Sequence, residues 1–274
     1  MLAYRVMNRF CFIDSSGIMK KDQFFGTGIL VVEKAGDMVD KLLKNSLPAK
    51  SVIKNNKKQA IDNLLTQGKK DEVISILRNN SRFEMKFDSL RPSTEVYFER
   101  MVDIFLSDSN NRFSAMVINK SRPNFDGNNI QDAWETYTKY AAHLVYKEMK
   151  NMPSDNFCII VDEITKPRIK ALSLEDTLLS KIRDEVIKDS SVNFSNVFGA
   201  LSIESHSNLL MQLCDVLLGA VMYDFKKKSG ITSDRTDKRK ELLVSKIRQV
   251  LNVNSLAQDF TQTSSAYFNV FESI

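Results

Sequence analysis

The chain is poor in the residues that build the commonest kinds of site. It has three cysteines, Cys11 and Cys158 flanked by apolar residues and Cys214 in an apolar run beside Asp215. An odd number without paired spacing argues against a disulfide framework and against a zinc site. They read as buried thiols of a reducing compartment. There is no Gly-x-Ser-x-Gly, no His-Glu-x-x-His and no Walker sequence, so serine-hydrolase, zinc-hydrolase and nucleotide-loop chemistry lack their motifs. Gly26-Thr27-Gly28 is followed by no Gly-Lys-Ser/Thr and is not a phosphate loop. Long hydrophobic runs are missing too. The longest, Leu209 to Met222, carries Gln212 and Asp215 and is too short to span a bilayer. Arg5 and Arg9 interrupt the opening residues, so no signal peptide is expected. The expectation is a soluble, cytoplasmic protein with no membrane partner. No internal repeat is visible.

What is present suits a packed core. Of 274 residues, 43% are hydrophobic and 27% charged, with a net charge of +5, a modest bias towards anionic partners. Strands are expected over Tyr4–Asp14, Phe24–Val32, Arg82–Phe87, Arg112–Asn119, Asn156–Val161 and Phe194–Ile203, from apolar runs bounded by turn signals. The first two form a hairpin. The glycines at 26 and 28 mark a bulge or the close approach of another backbone. Helices are expected after Pro92, over Ile130–Met149 around Trp134, and over Leu172–Lys188. His143 reads as an ordinary helix residue. The Lys- and Asn-rich stretch 34–80 reads as a helical insertion after the second strand. A meander followed by helix–strand alternation makes an α/β fold with a mixed sheet. Residues 1–228 form the main domain, and 229–274 read as a basic helical C-terminal extension with an edge strand near Tyr267–Phe271.

One stretch organises the rest. Val197 to Ile203 suits a buried strand. Ser205 or Ser207 can cap the helix that follows. Leu210, Leu213, Leu217 and Val221 form its core face, and Asn208, Gln212, Asp215 and Gly219 form an adjacent polar stripe. An acid in so apolar a helix is costly to bury unless something pairs with it.

Asp14, Asp162 and Glu204 each end a hydrophobic strand, at the end where open α/β sheets bind ligands. With Asp215 they make four carboxylates that could converge, and such a group needs a cation to neutralise it. Hard oxygen ligands suit Mg²⁺ or Mn²⁺. A pair of such ions clamps the attacking and leaving oxygens of a phosphodiester. The four acids are therefore candidate catalytic and metal residues. Ser15, Glu84, Lys86, His206 and Gln212 border them.

Phe12-Ile13-Asp14-Ser15-Ser16-Gly17 resembles the opening Ile-Asp-Glu-Ser-Gly of the DUF3800 family. Ile160-Val161-Asp162 resembles its central strand end. Glu204-Ser205-His206-Ser207 with Gln212-Leu213-Cys214-Asp215 resembles its closing signature, the most specific piece, and Phe83-Glu84-Met85-Lys86 a further short segment. The resemblance runs from Phe12 to about Tyr223. It implies a ribonuclease-H-like mixed sheet flanked by helices. It also implies a Mg²⁺/Mn²⁺-dependent nuclease of DNA or RNA working by a two-metal-ion mechanism, in a phage-defence or mobile-element setting that could include a protein partner. The family's glutamate after the first aspartate is Ser15 here. That departure favours a second reading, a catalytically weakened module that binds nucleic acid or a partner protein. A third places the chemistry on Glu84-x-Lys86, with the lysine polarising the attacking water.

Between Lys226 and Arg248 nine Lys/Arg face three Asp/Glu, an excess of six. Lys226, Lys227, Lys228, Arg235, Lys238, Arg239 and Lys240 are the candidate phosphate contacts.

Overall fold

The run Phe10-Cys11-Phe12-Ile13 is apolar on both sides of its alternation, so a strand made of it must be covered on both faces. A computed structural model describes residues 6–17, 21–47, 58–59, 61–70, 72, 84–122, 133–164, 170, 172–189, 191–232 and 238–273. In it that run lies in β1 (Asn8–Ser16). β2 (Phe24–Val32) and β3 (Arg112–Asn119) continue from β1 as an antiparallel meander. β4 (Asn156–Asp162) pairs parallel with β1 on its other side, and β5 (Val197–Ile203) pairs parallel with β4. Two more strands, β6 (Phe260–Gln262) and β7 (Tyr267–Ser273), extend the sheet beyond β3, to give seven strands in the order β5-β4-β1-β2-β3-β7-β6. The architecture is mixed α/β, a mixed sheet with helices on both faces.

After β2 comes α1 (Ala35–Asn45), as expected of the insertion, and residues 61–66 are helical. Much of the rest of 34–80 lies outside the described residues. Then follow α2 (Glu95–Leu106), α3 (Ala133–Asn151), α4 (Leu174–Ile187), α5 (Leu209–Lys228) and α6 (Lys238–Leu251). The odd residues Cys11 and Ile13 of β1 face a core built with α3 and α4, around Trp134 and Ile182. Phe12 faces the other core, whose centre is α5. α1, α2 and α6 pack outside α5. A helix covered on every side must be apolar all round, and every residue from Leu210 to Phe225 is buried except Asp215 and Gly219. Gly26 lets α5 press against β2: a Cβ there would stand 2.5 Å from the Met222 sulfur. The strand runs through Gly26 without a bulge, and what approaches it is the side chains of Met222 and Leu218, not another backbone.

Several expectations change. The expected third strand, Arg82–Phe87, is not one: Glu84 to Lys86 is irregular and Phe87–Ser89 is a short 3-10 turn, while Arg82 and Phe83 lie outside the described residues. The true third strand of the meander is β3. β5 is an edge strand, not a buried one; Phe198 is 54% exposed. The cap of α5 is Asn208, whose Oδ1 accepts from the Leu210 and Met211 amides, and not Ser205 or Ser207. Those two lie in a separate 3-10 turn before it. Residues 229–274 are not helical alone. α6 packs on α2 and α5, and β7 pairs with β3 in the same sheet, with β6 rather than β7 at the edge. All three cysteines are buried and free. Among the described residues no helix is long and apolar enough to cross a membrane.

Candidate active site

β1 and β4 run parallel in register, Phe12 beside Ile160 and Ile13 beside Val161. Alternation then sends Asp14 and Asp162 to the face that α5 covers, at the same end of adjacent strands. Asp215, six residues past the first turn residue Leu209, descends onto them from α5. Asp14 is 6% exposed. One oxygen of each acid is fixed by a backbone amide: Asp14 accepts from Ser15 at 2.7 Å, Asp162 from Ser205 at 3.0 Å and Asp215 from Phe87 at 2.8 Å.

The charges of the other two acids act on Asp14. Burial holds Asp14 well above the usual carboxylate range, and the charges of Asp215 and then Asp162 add to that. Burial lifts Asp215 to about 6, against the Phe87 amide and Lys86, with Asp88 and Glu84 repelling it further. Asp162 is also raised, chiefly by burial, with Lys86 and the Ser205 amide opposing. Tyr137, whose hydroxyl donates to the Ile13 carbonyl at 3.4 Å, closes the opposite face and stays neutral because burial and then Asp14 raise its pKa.

The polar stripe of α5 has a partner that its periodicity did not reveal. Gln212 accepts from the Met85 amide at 3.0 Å, and its own amide donates to the carbonyl of His206 at 3.2 Å. Asp215 accepts from the Phe87 amide two residues on. A Cβ at Gly219 would stand 2.4 Å from the Cβ of Phe87, so only glycine lets the segment lie this close. The segment therefore docks on α5 as a strand docks on a sheet, with helix side chains in place of a neighbouring backbone. Met85 and Phe87 point inward and are buried, each contributing roughly 2 kcal/mol by burial. Glu84 and Lys86 point the other way, towards the acids.

Glu84 and Lys86, expected at the border of the four acids or, in the third reading, as the chemical pair itself, lie beside the acids. Glu84 accepts from the Ser205 hydroxyl at 2.8 Å and lies 3.2 Å from the Lys86 ammonium. Burial lowers the pKa of Lys86, but Glu84 first and then Asp215 and Asp162 outweigh it and hold the ammonium above its usual value. Besides the Glu84-x-Lys86 spacing, Gly219 in the α5 stripe was a signal of a close approach, since it carries no Cβ.

Glu204 is not brought in. Its side chain is 63% exposed and stands 3.2 Å from the ring of His206, also at the surface. The strand ends one residue earlier, at Ile203, and the chain turns outward there. Ser15 meets the Asp14 carboxylate through its backbone amide, while alternation sends its side chain to the opposite face.

The basic segment is largely satisfied from within. Lys227 pairs with Glu241 at 2.8 Å, Arg239 with Glu95 at 3.7 Å and Lys240 with Asp88 at 2.5 Å. Lys228 donates to the Ala257 carbonyl. Lys238 is exposed, Lys226 is half-buried, and Arg235 lies outside the described residues. The excess counted along the chain ignored acids that α2 and the 3-10 turn supply.

The chain matches no family model and no curated protein. The site has to be judged on its own chemistry. Its donors are hard carboxylate oxygens, the kind that Mg²⁺ and Mn²⁺ prefer. The repulsion of Asp14 by Asp215 and Asp162 is the strain such an ion relieves. Among the described residues no three acids, histidines or cysteines are grouped as a ready-made metal cage. The fit therefore rests on donor chemistry and charge.

Proposed function

We propose that the protein is a metal-dependent nuclease, cleaving phosphodiester bonds of DNA or RNA. The observation that carries this reading is the convergence of Asp14, Asp162 and Asp215 on one sheet rim, with Asp14 buried and repelled by the other two, which are half-buried. A structural role would supply each acid with its own cation. Among the described residues none of the three forms an ion pair. Asp14, between the other two, would be the shared ligand of Mg²⁺ or Mn²⁺, and Asp162, Asp215 and Glu84 would complete the set. Bound there, the metal would neutralise the carboxylates and stabilise charge developing on phosphoryl oxygens. Lys86 keeps a positive charge beside the acids and orients an anionic group entering the site. The backbone amides of Ser15, Ser205 and Phe87 hold the three carboxylates in place before substrate arrives, which lowers the reorganisation cost.

The strand order supports the same reading. A meander β1–β2–β3 followed by α3–β4–α4–β5, with only β2 reversed among these five, is the order of a ribonuclease-H-like sheet. β7 and β6 are then an addition beyond β3. The resemblance to the DUF3800 family rests on the same three acids and on Glu204, whose side chain the fold leaves at the surface. That exposed Glu204 is the observation favouring the second reading, a module that binds nucleic acid or a partner protein without cleaving it.

The test is a nuclease assay on single- and double-stranded DNA and RNA, with and without Mn²⁺, of the wild type and Asp162→Asn. Mn²⁺-dependent cleavage lost in Asp162→Asn supports the proposal. Binding without cleavage under every condition overturns it in favour of the binding module.

A further inference from the structure

A cavity of about 200 Å³ opens beside Asp215, between the end of β1, the 3-10 turn at Phe87 and the last turns of α5. Its polar walls are Lys86, Lys226, Lys240, Asp88, Ser16 and Thr232. Three cations from three separate parts of the chain meet there. Lys86 comes with the docked segment, Lys226 from the end of α5 and Lys240 from the start of α6. Lys240 is held by Asp88 and sits 5.1 Å from the centre of the Phe87 ring. Lys226 forms no ion pair among the described residues. The single anion inside the walls besides Asp215 is Asp88, whose side chain is 92% exposed. The hydroxyls of Ser16 and Thr232 add donors suited to an oxyanion.

We propose that this cavity is a subsite for one phosphate group of a nucleic-acid strand, next to the acid cluster where cleavage takes place. The inference rests on the nuclease reading and deepens it. The acids alone repel a polyanion, so a strand needs cations close by to bring its backbone against them. A phosphate fits where an apolar or cationic ligand does not, because the walls carry more ammonium than carboxylate groups. Two sources share this chemistry, a terminal phosphate monoester and an internal phosphodiester.

The experiment measures binding of a fluorescent single-stranded ten-nucleotide oligomer in EDTA, where no cleavage occurs. Wild type, Lys226→Gln and Asp88→Asn are compared across a salt series. Lys226→Gln is expected to weaken binding about five- to tenfold and to reduce the salt slope by roughly 0.7, the loss of one single-strand phosphate contact. Asp88→Asn removes the internal anion and is expected to tighten binding by a similar factor. Opposite signs at these two positions, with unchanged melting temperatures, are not produced by a structural defect. Oligomers with a 5′-phosphate, a 3′-phosphate or neither separate the sources. A loss confined to one phosphorylated end identifies a terminal monoester, and an equal loss with all three identifies an internal diester. Equal binding by all three proteins, or binding by none, overturns the subsite. The nuclease reading is scored separately, by cleavage of the same oligomer by wild type in Mn²⁺. Cleavage with indifferent variants keeps the nuclease and removes the subsite; opposed variants without cleavage do the reverse.

Discussion

Replacing Asp215 by asparagine keeps the side-chain shape and the acceptor for the Phe87 amide while removing a charge. Its folded pKa is about 6, roughly two units above an ordinary aspartate, and each unit is about 1.4 kcal/mol. The sign follows from linkage. Below about pH 4 the carboxyl is protonated in folded and unfolded chains alike and costs nothing. As pH rises through the unfolded value towards the folded one, the unfolded chain releases its proton first, so stability is lost. Above about pH 6 the loss is complete, on the order of 3 kcal/mol. Asp215→Asn should recover that amount in metal-free protein at about pH 7.5 and nothing at about pH 4. At roughly 2–4 °C per kcal/mol for a chain of this size, the melting temperature should rise by about 6–12 °C. Thermal melts in EDTA at both pH values measure this. Adding Mn²⁺ should stabilise the wild type at the higher pH, because a ligand that binds only the folded state shifts the equilibrium. The variant should lose that response. If Asp215→Asn melts lower at neutral pH, or gains equally at both, Asp215 is a paired structural acid and the repulsion argument is wrong.

Glu84→Gln should weaken the Mn²⁺-induced stabilisation several-fold, whereas Glu204→Gln should leave it within about twofold, since only Glu84 borders the acids; equal losses would mean that Glu204 folds inward when metal binds. Ser15→Glu should leave Mn²⁺ binding unchanged in a titration, because its side chain leaves β1 on the opposite face from Asp14; a tighter site would show that the strand end reverses there. Gly219→Ala should cost about 1–3 kcal/mol in a denaturant melt through overpacking against Phe87, and should release the segment that holds Lys86; a cost under about 0.5 kcal/mol would mean that Phe87 simply shifts aside.

The strands at Phe24–Val32, Arg112–Asn119 and Asn156–Val161 were legible in the sequence because each is a run of apolar residues long enough to need cover on both faces. So were three of the acids. Asp14 and Asp162 end such runs, and Asp215 interrupts an apolar helix where an unpaired charge is conspicuous. Local patterns carry that information because alternation and helical spacing are properties of neighbouring residues. The misread parts all depend on distant partners. Arg82–Phe87 alternates like a strand, yet the amides of Met85 and Phe87 are satisfied by Gln212 and Asp215, more than a hundred residues away in sequence. Glu204 looks like the other strand-end acids until the chain turns outward after Ile203. The basic run looked unpaired because the acids that meet it, Glu95 and Asp88, come from other elements. The sequence by itself determined which residues are too apolar to stay in water and which acids are too costly to bury alone. Only the tertiary structure decided which charges face each other, because electrostatic partners are chosen by distance in space and not by position along the chain.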